Sequence, residues 1–131
     1  AMTVEQSFSV WRRIFTLEPY DTEWQEFIIA DEADEVIGVI KIMESPPGSK
    51  ICWIENISVN KEYRRKGWGS KLLEIAVDYA KKQGYRCLLG QMKPEDDLLV
   101  SNLSDFYQRN GFTITKQADA FHPVIIKYLD S

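Results

Sequence analysis

Histidine and cysteine are nearly missing from this sequence, with one His and two Cys among 131 residues. The single imidazole, His122, has no second one to form a ligand pair, and no Cys/His spacing suggests a metal site. It precedes Pro123 in a strand-like run, which favours a structural role. Cys52 and Cys87 each lie inside an apolar, strand-like run, the usual setting of reduced core thiols rather than of a disulfide framework. An excess of basic residues is also missing. The formal net charge is −4, which argues against a general nucleic-acid binder, because neutralising phosphates takes a basic surface. There is no apolar run near the length of a membrane span, no leading signal-peptide pattern, no internal repeat and no low-complexity tract. The expectation is a cytoplasmic protein with neither nucleic acid nor membrane as a partner.

What remains is ordinary for a globular protein: 44% hydrophobic and 27% charged residues. The length suffices for a core of its own, so one domain over residues 1–131 is expected. Ala1, ahead of Met2, is set aside as an expression remnant.

Hydrophobic periodicity divides the chain. Residues 7–16, SFSVWRRIFT, mix β-branched and aromatic residues and read as a first strand. A helix over 4–14 competes, since Val4, Phe8 and Trp11 share a helical face. Leu17 to Glu23 contains Pro19 and Asp21 and reads as a turn. Trp24–Ala30 and Glu35–Met43 read as two strands joined by the acidic turn Asp31–Asp34. A second turn, Glu44–Lys50, leads into the strand that opens ICWIENISVN. From Trp68 to Gln83 the set Leu72, Leu73, Ala76, Val77, Tyr79 and Ala80 makes one helical face, and Gly84 is placed to end it. Arg86–Met92 reads as a strand parallel to the Ile51 strand, because a helical crossover joins them. Pro94 to Asp97 breaks the pattern. Ser101 caps a helix through Gln108 that Gly111 ends, and Thr113–Gln117 with Phe121–Leu129 closes the chain as a hairpin.

The most informative stretch is the basic turn Arg64-Arg65-Lys66-Gly67-Trp68-Gly69 between the Ile51 strand and the first long helix. A strand that feeds a helix through a glycine-spaced turn aims unpaired backbone N–H groups and the positive end of the helix dipole outward. Together these make a site for a phosphate or pyrophosphate. Glycine at 67 and 69 lets backbone approach an anion closely. No Walker-type GK[ST] ending follows, which disfavours an unrelated nucleotide-binding module.

Arg64-x-x-Gly67-x-Gly69 resembles the acyl-CoA pyrophosphate loop of the GCN5-related N-acetyltransferase (GNAT) superfamily. IENISVN-x-x-YRRKGWG is similar to that family's fourth strand and loop over its whole length. FYQRNGF, from Phe106 to Phe112, resembles the family's second signature, a helix that carries a tyrosine and closes on Gly-Phe. A lone RxxGxG is a weak signal, but two signatures in order, one helix and one strand apart, are a strong one. The resemblance implies an α+β fold of α/β character. Its mixed, mostly antiparallel sheet splays between central parallel strands and is flanked by helices. Family members usually carry one or two helices between their first and second strands. Here the interval is a few residues with a proline, so the N-terminal helical region is reduced and the acceptor pocket is more open, or completed by another chain.

The same resemblance implies a list of roles. Backbone amides from Arg64 through Arg65, Lys66, Gly67, Trp68 and Gly69 to Ser70 hold the pyrophosphate of acetyl-CoA, with Arg64 and Arg65 adding charge. The main chain of Ile57, Ser58 and Val59 pairs with the pantetheine arm, and an amide at Ile57 or Ser58 polarises the thioester carbonyl. Tyr107 is the acid that returns a proton to the CoA sulfur, as suits a phenol of pKa near ~10. Its bland counterpart is a core ring. Asn102 reaches the pantetheine, although the family's asparagine, seven residues before the tyrosine, is Val100 here. Glu55 is the general base or the orienter of a water relay. The alternation Ile51, Trp53, Glu55, Ile57 sets it among apolar neighbours, where burial raises a carboxyl pKa; a structural hydrogen bond or salt bridge is the alternative. Glu95, Asp96 and Asp97 lie where the family's fold opens to the acceptor and could attract a cationic amine.

The resulting expectation is transfer of an acetyl group from acetyl-CoA to a small-molecule or peptide primary amine in a ternary complex, without metal, by a monomer or homodimer. The competing function is an acyl-CoA-binding sensor of the same fold that catalyses no transfer.

Overall fold

A computed structural model describes residues 7–17, 22–92, 100–115 and 123–129. Among the described residues seven strands form one sheet: β1 (Ser9–Leu17), β2 (Thr22–Ala30), β3 (Val36–Glu44), β4 (Ile51–Val59), β5 (Cys87–Gln91), β6 (Thr113–Thr115) and β7 (Val124–Tyr128). Their order across the sheet is β1-β2-β3-β4-β5-β7-β6. The helices α1 (Trp68–Lys82) and α2 (Val100–Arg109) flank it. Every strand pair is antiparallel except β4 with β5, the pair joined by the α1 crossover. This is the mixed α+β sheet expected.

The first segment is a strand, not a helix: β1 pairs with β2 along its length, from Ser9 opposite Ala30 to Leu17 opposite Thr22. β2 begins earlier than expected, at Thr22, because the β1 register extends the ladder into the residues read as a turn. The acidic turn closes on Asp31, whose Oδ1 accepts from the Ala33 and Glu35 N–H groups at 2.9 and 3.0 Å. The Asx turn thus replaces the Asn-Gly hairpin signal that the sequence does not have. Pro19 and Asp21, the segment Pro94–Asp97, the Ser101 side chain, and the residues 116–122 that include His122 lie outside the described residues.

α1 forms as its spacing dictates. Trp68, Leu72, Leu73, Ala76, Val77 and Ala80 are buried, facing Phe27, Ile29, Ile37, Ile40 and Ile42 from the sheet. Each fully buried Leu or Ile in this layer contributes ~1.5–3 kcal/mol. Gly84 ends the helix at φ +76, where its N–H bonds to Lys81 O and the Tyr85 N–H bonds to Ala80 O, both at 3.0–3.1 Å.

One irregularity decides where the site lies. β3 pairs Ile42 with Ile54 and Lys41 with Asn56, so Glu55 is an extra residue in β4, a β-bulge. Before the bulge Cys52 and Ile54 face the core; after it Ile57 and Val59 do. β4 and β5 pair only from Ile51–Cys87 to Ile54–Gly90. Beyond Ile54 the two strands part.

Candidate active site

The parting of β4 from β5 opens a cleft of about 1590 Å³ between the C-terminal half of β4, the loop before α1, and α2. The loop is tied down before it reaches the helix. Residues Lys61–Tyr63 make a 3₁₀ turn, and the Tyr63 hydroxyl donates to Asp31 Oδ2 at 2.7 Å, fixing the turn to the β2–β3 hairpin. That bond, together with the Glu35 N–H, holds the Asp31 carboxyl below its ordinary 3.8. The same bond raises the Tyr63 phenol above 10. Arg64 Nε donates to the Val59 carbonyl at 3.0 Å, closing the loop back on the end of β4.

The chain then enters α1 through positive φ at Arg65 (63°) and Gly67 (93°). This conformation turns successive N–H groups to one side, as in an anion-binding nest. Gly67 is the N-cap, no side chain caps the helix there, and no acidic residue occupies its first turn. The first-turn N–H groups therefore face a region suited to a ligand anion. Gly69 has a second, unforeseen reason to be glycine. A Cβ there would lie 3.0 Å from Cε1 and Cζ of Phe106, so the missing side chain is what lets α2 dock on the start of α1.

On the opposite wall Tyr107 is 5% exposed, its ring edge-on to Phe106 and Phe112 at centroid distances of 5.0 and 5.7 Å. Glu55, Ile57, Ser58, Val59, Arg64, Arg65, Gly67, Trp68, Gly69, Ser70, Asn102 and Tyr107 all line the cleft. Lys66 does not belong to that lining; its ammonium sits 5.9 Å over the Tyr63 ring instead. Trp68 joins the lining, but its side chain is 2% exposed and packs edge-on against Phe8, so a role toward a ligand falls to its backbone. Arg64 is half-buried and serves the loop as well as its charge.

The expectation for Glu55 is corrected. The bulge breaks the alternation that set it among Trp53 and Ile57, and its side chain is exposed. Burial therefore cannot be what suits this carboxylate to act as a base. From Glu55 to Val59 the strand covers roughly 13 Å at ~3.3 Å per residue. This separates the one carboxylate on β4 from the cationic end formed by Lys61, Arg64 and Arg65.

Sequence reading missed two contributors. Tyr63 stands inside the quoted loop, yet its partner Asp31 is 32 residues away. Asn110, inside FYQRNGF, donates from Nδ2 to Ser70 Oγ at 3.1 Å across 40 residues. Neither spacing is a local signal.

A second cavity, about 260 Å³, lies near the other end of α1 and is lined by Glu23, Glu44, Cys52, Tyr79 and Tyr85 among others. Its rings already carry the chain's own cations, Arg12 4.9 Å over Tyr79 and Lys50 5.7 Å over Tyr85. Burial pushes the Tyr85 phenol and the Cys52 thiol each up to about 12. Cys52 and Cys87 are buried and not joined in a disulfide, as core thiols would be. Among the described residues no His, Cys, Asp and Glu side chains cluster to hold a metal, and no helix is long and apolar enough to cross a membrane.

Comparison with known proteins accords with this geometry. Residues 23–114 match the family model described as an acetyltransferase (GNAT) domain. Streptothricin acetyltransferase A of Bacillus subtilis (strain 168) is 37% identical over 78 residues, 60% of this chain, and the match spans only 42% of that relative's length. Among solved structures, the IAA acetyltransferase from Bacillus cereus ATCC 14579 superposes with a TM-score of 0.68 at 24% identity, covering 92% of this chain and all (100%) of that one. A GNAT family N-acetyltransferase from Escherichia coli, solved in complex with CoA, gives 0.63 at 15% identity over 81% of this chain and 59% of that one. These structural likenesses establish the fold, and the family model, which covers well over half of the sequence, establishes the lineage: the chain belongs to the GNAT acetyltransferase family.

Proposed function

We propose that this chain acts as a single-domain N-acetyltransferase that moves the acetyl group of acetyl-CoA to a primary amine by direct attack within a ternary complex. The observation that carries the reading is the cleft: β4 leaves β5 at a bulge, and the gap runs past Tyr107 to an uncapped helix start. The residues fit the co-substrate. The edge of β4 that β5 has left offers main-chain groups at Ile57, Ser58 and Val59, which can align a pantetheine arm as they would an added strand. The Val59 carbonyl already accepts from Arg64, so Ile57 and Ser58 are the better placed. The N–H groups from Arg64 to Ser70 suit a pyrophosphate, and Lys61, Arg64 and Arg65 add charge. Asn102 is exposed and lines the cleft, which supports a contact with the pantetheine arm.

When bound, acetyl-CoA supplies the activated acyl group. The chain's own groups do the rest. An amide at Ile57 or Ser58 donates to the carbonyl oxygen as negative charge develops there. Glu55, exposed at the bulge, takes the amine proton directly or through a water. Tyr107 gives a proton to the departing sulfur. The acceptor is a small-molecule or peptide amine, and the name of the Bacillus subtilis relative puts streptothricin first in any panel. The protein works as a monomer or homodimer, without a metal.

The test is release of CoA thiol from acetyl-CoA against a panel of amines, with acetyl-CoA binding measured by calorimetry. Amine-dependent release is expected. Tight binding with no release across the panel would make the protein an acyl-CoA sensor, and absence of binding would overturn the cofactor reading.

A further inference from the structure

Asn110 joins two parts of the cleft that the chain keeps far apart. Its Nδ2 donates to Phe106 O at 2.8 Å and to Ser70 Oγ at 3.1 Å. A backbone carbonyl can only accept, so the amide orientation is settled: the atom facing Phe106 is nitrogen, and both of its hydrogens are committed. Ser70 Oγ is therefore the acceptor in its bond with Asn110. The serine's own hydrogen is left to be donated, and Ser70 lines the cleft in the first turn of α1. Asn110 also sits three residues beyond Tyr107. Its backbone is held on both sides, with its N–H on Tyr107 O at 3.1 Å and its carbonyl accepting from Lys127 Nζ at 2.9 Å.

We propose that Asn110 is a positioning residue for the phosphate end of the cleft. It makes the Ser70 hydroxyl an obligate donor to a pyrophosphate oxygen, and it holds the start of α1 in register with the helix turn that carries Tyr107. An anion accepts and cannot donate, so a hydroxyl whose lone pair is already engaged by an amide presents the required polarity with no reorientation at binding. A serine left to itself would divide its hydrogen among the carbonyls nearby. The Phe106 ring against Gly69 supplies the apolar half of the same joint. This inference rests on the proposal that the cleft takes CoA.

The experiment is calorimetry of CoA binding to wild type, Asn110→Leu, Ser70→Ala and the double variant. Asn110→Leu keeps the volume and removes both donors. It and Ser70→Ala should each weaken CoA by about 10-fold, the worth of one charge-assisted hydrogen bond. In the Ser70→Ala background Asn110→Leu should add less than ~2-fold, because the amide acts through the hydroxyl. Asn110→Ala, uncharged and equally unable to donate, answers the same question where the leucine variant does not fold. Unchanged affinity in the single variants, or losses that multiply in the double variant, would overturn the proposal and leave Asn110 a structural link alone. A wild-type protein that does not bind CoA would overturn the cofactor reading itself, and the wild-type titration shows which of the two has failed.

Discussion

The two ends of α1 belong to one helix and are finished in opposite ways. At the C-terminus Gly84 turns the chain, its N–H and that of Tyr85 satisfy carbonyls of the last turn, and Lys81 and Lys82 answer the negative end of the dipole. At the N-terminus Gly67 turns the chain with no side-chain cap and no acidic neighbour. The adjoining cavities divide in the same way: two rings of the smaller carry the chain's own Arg12 and Lys50, while the larger is lined by the exposed Lys61 and Arg65. A helix end left uncapped inside a cleft is suited to an anion, and the proposed function uses it so. The finished end is architecture.

The largest expected effect tests the working end at Tyr107. Tyr107→Phe should lower kcat by ~10²–10⁴, the worth of a positioned acid, while CoA affinity and Tm stay near wild type. Turnover retained in this variant would reduce Tyr107 to the ring between Phe106 and Phe112. Next is Glu55→Gln, for which kcat/KM should fall ~10²-fold and the acidic limb of its pH profile should vanish. A profile that keeps its shape would mean the bulge residue carries no proton.

The two helix ends are then compared directly by placing the same methyl group at each. Gly67→Ala and Gly84→Ala both set a Cβ at positive φ and should each cost ~1–2 kcal/mol of stability, read as a lower Tm. Only Gly67→Ala should also weaken CoA, roughly 10-fold, as the N–H groups lose alignment. Equal CoA affinities in the two variants would erase the distinction between the ends. The smallest effect concerns the tether of the loop. Asp31 is held below 3.8 chiefly by the Tyr63 hydroxyl. A carboxyl depressed in the folded state adds stability above its unfolded pKa, and that stability is lost as pH falls through the folded one. The Tm difference between wild type and Tyr63→Phe should therefore be constant above about pH 4 and shrink below it. A difference that persists unchanged at pH 2 would show that packing, not the bond, accounts for it.

Much of this was legible in the order of residues. The strand, basic glycine turn and amphipathic helix from Ile51 to Gly84 follow from local chemistry, and the parallel pairing of β4 and β5 follows from the crossover. What stayed hidden depends on partners distant in sequence. The bulge at Glu55 exists only relative to Lys41 and Ile42 on β3, so strict alternation misassigned its neighbours. Gly69 read as room for an anion because Phe106, which fills the space its Cβ would need, lies on another helix. Asn110 gave no sign of Ser70. At β1 two periodicities fitted the same residues, and pairing with β2 decided between them.

The bulge has one further consequence. It acts as a phase shift in the pleat, placing Cys52 and Ile54 on the inner face before it and Ile57 and Val59 on that face after it. Pairing Glu55 into the ladder instead of bulging it out would shift the downstream strand by half a period, carrying Asn56 and Ser58 into the apolar layer and Ile57 and Val59 out of it. β4 is thus two short strands written in different frames and spliced at Glu55: the first is addressed to the core beneath α1, and the second turns its polar side chains away from that core.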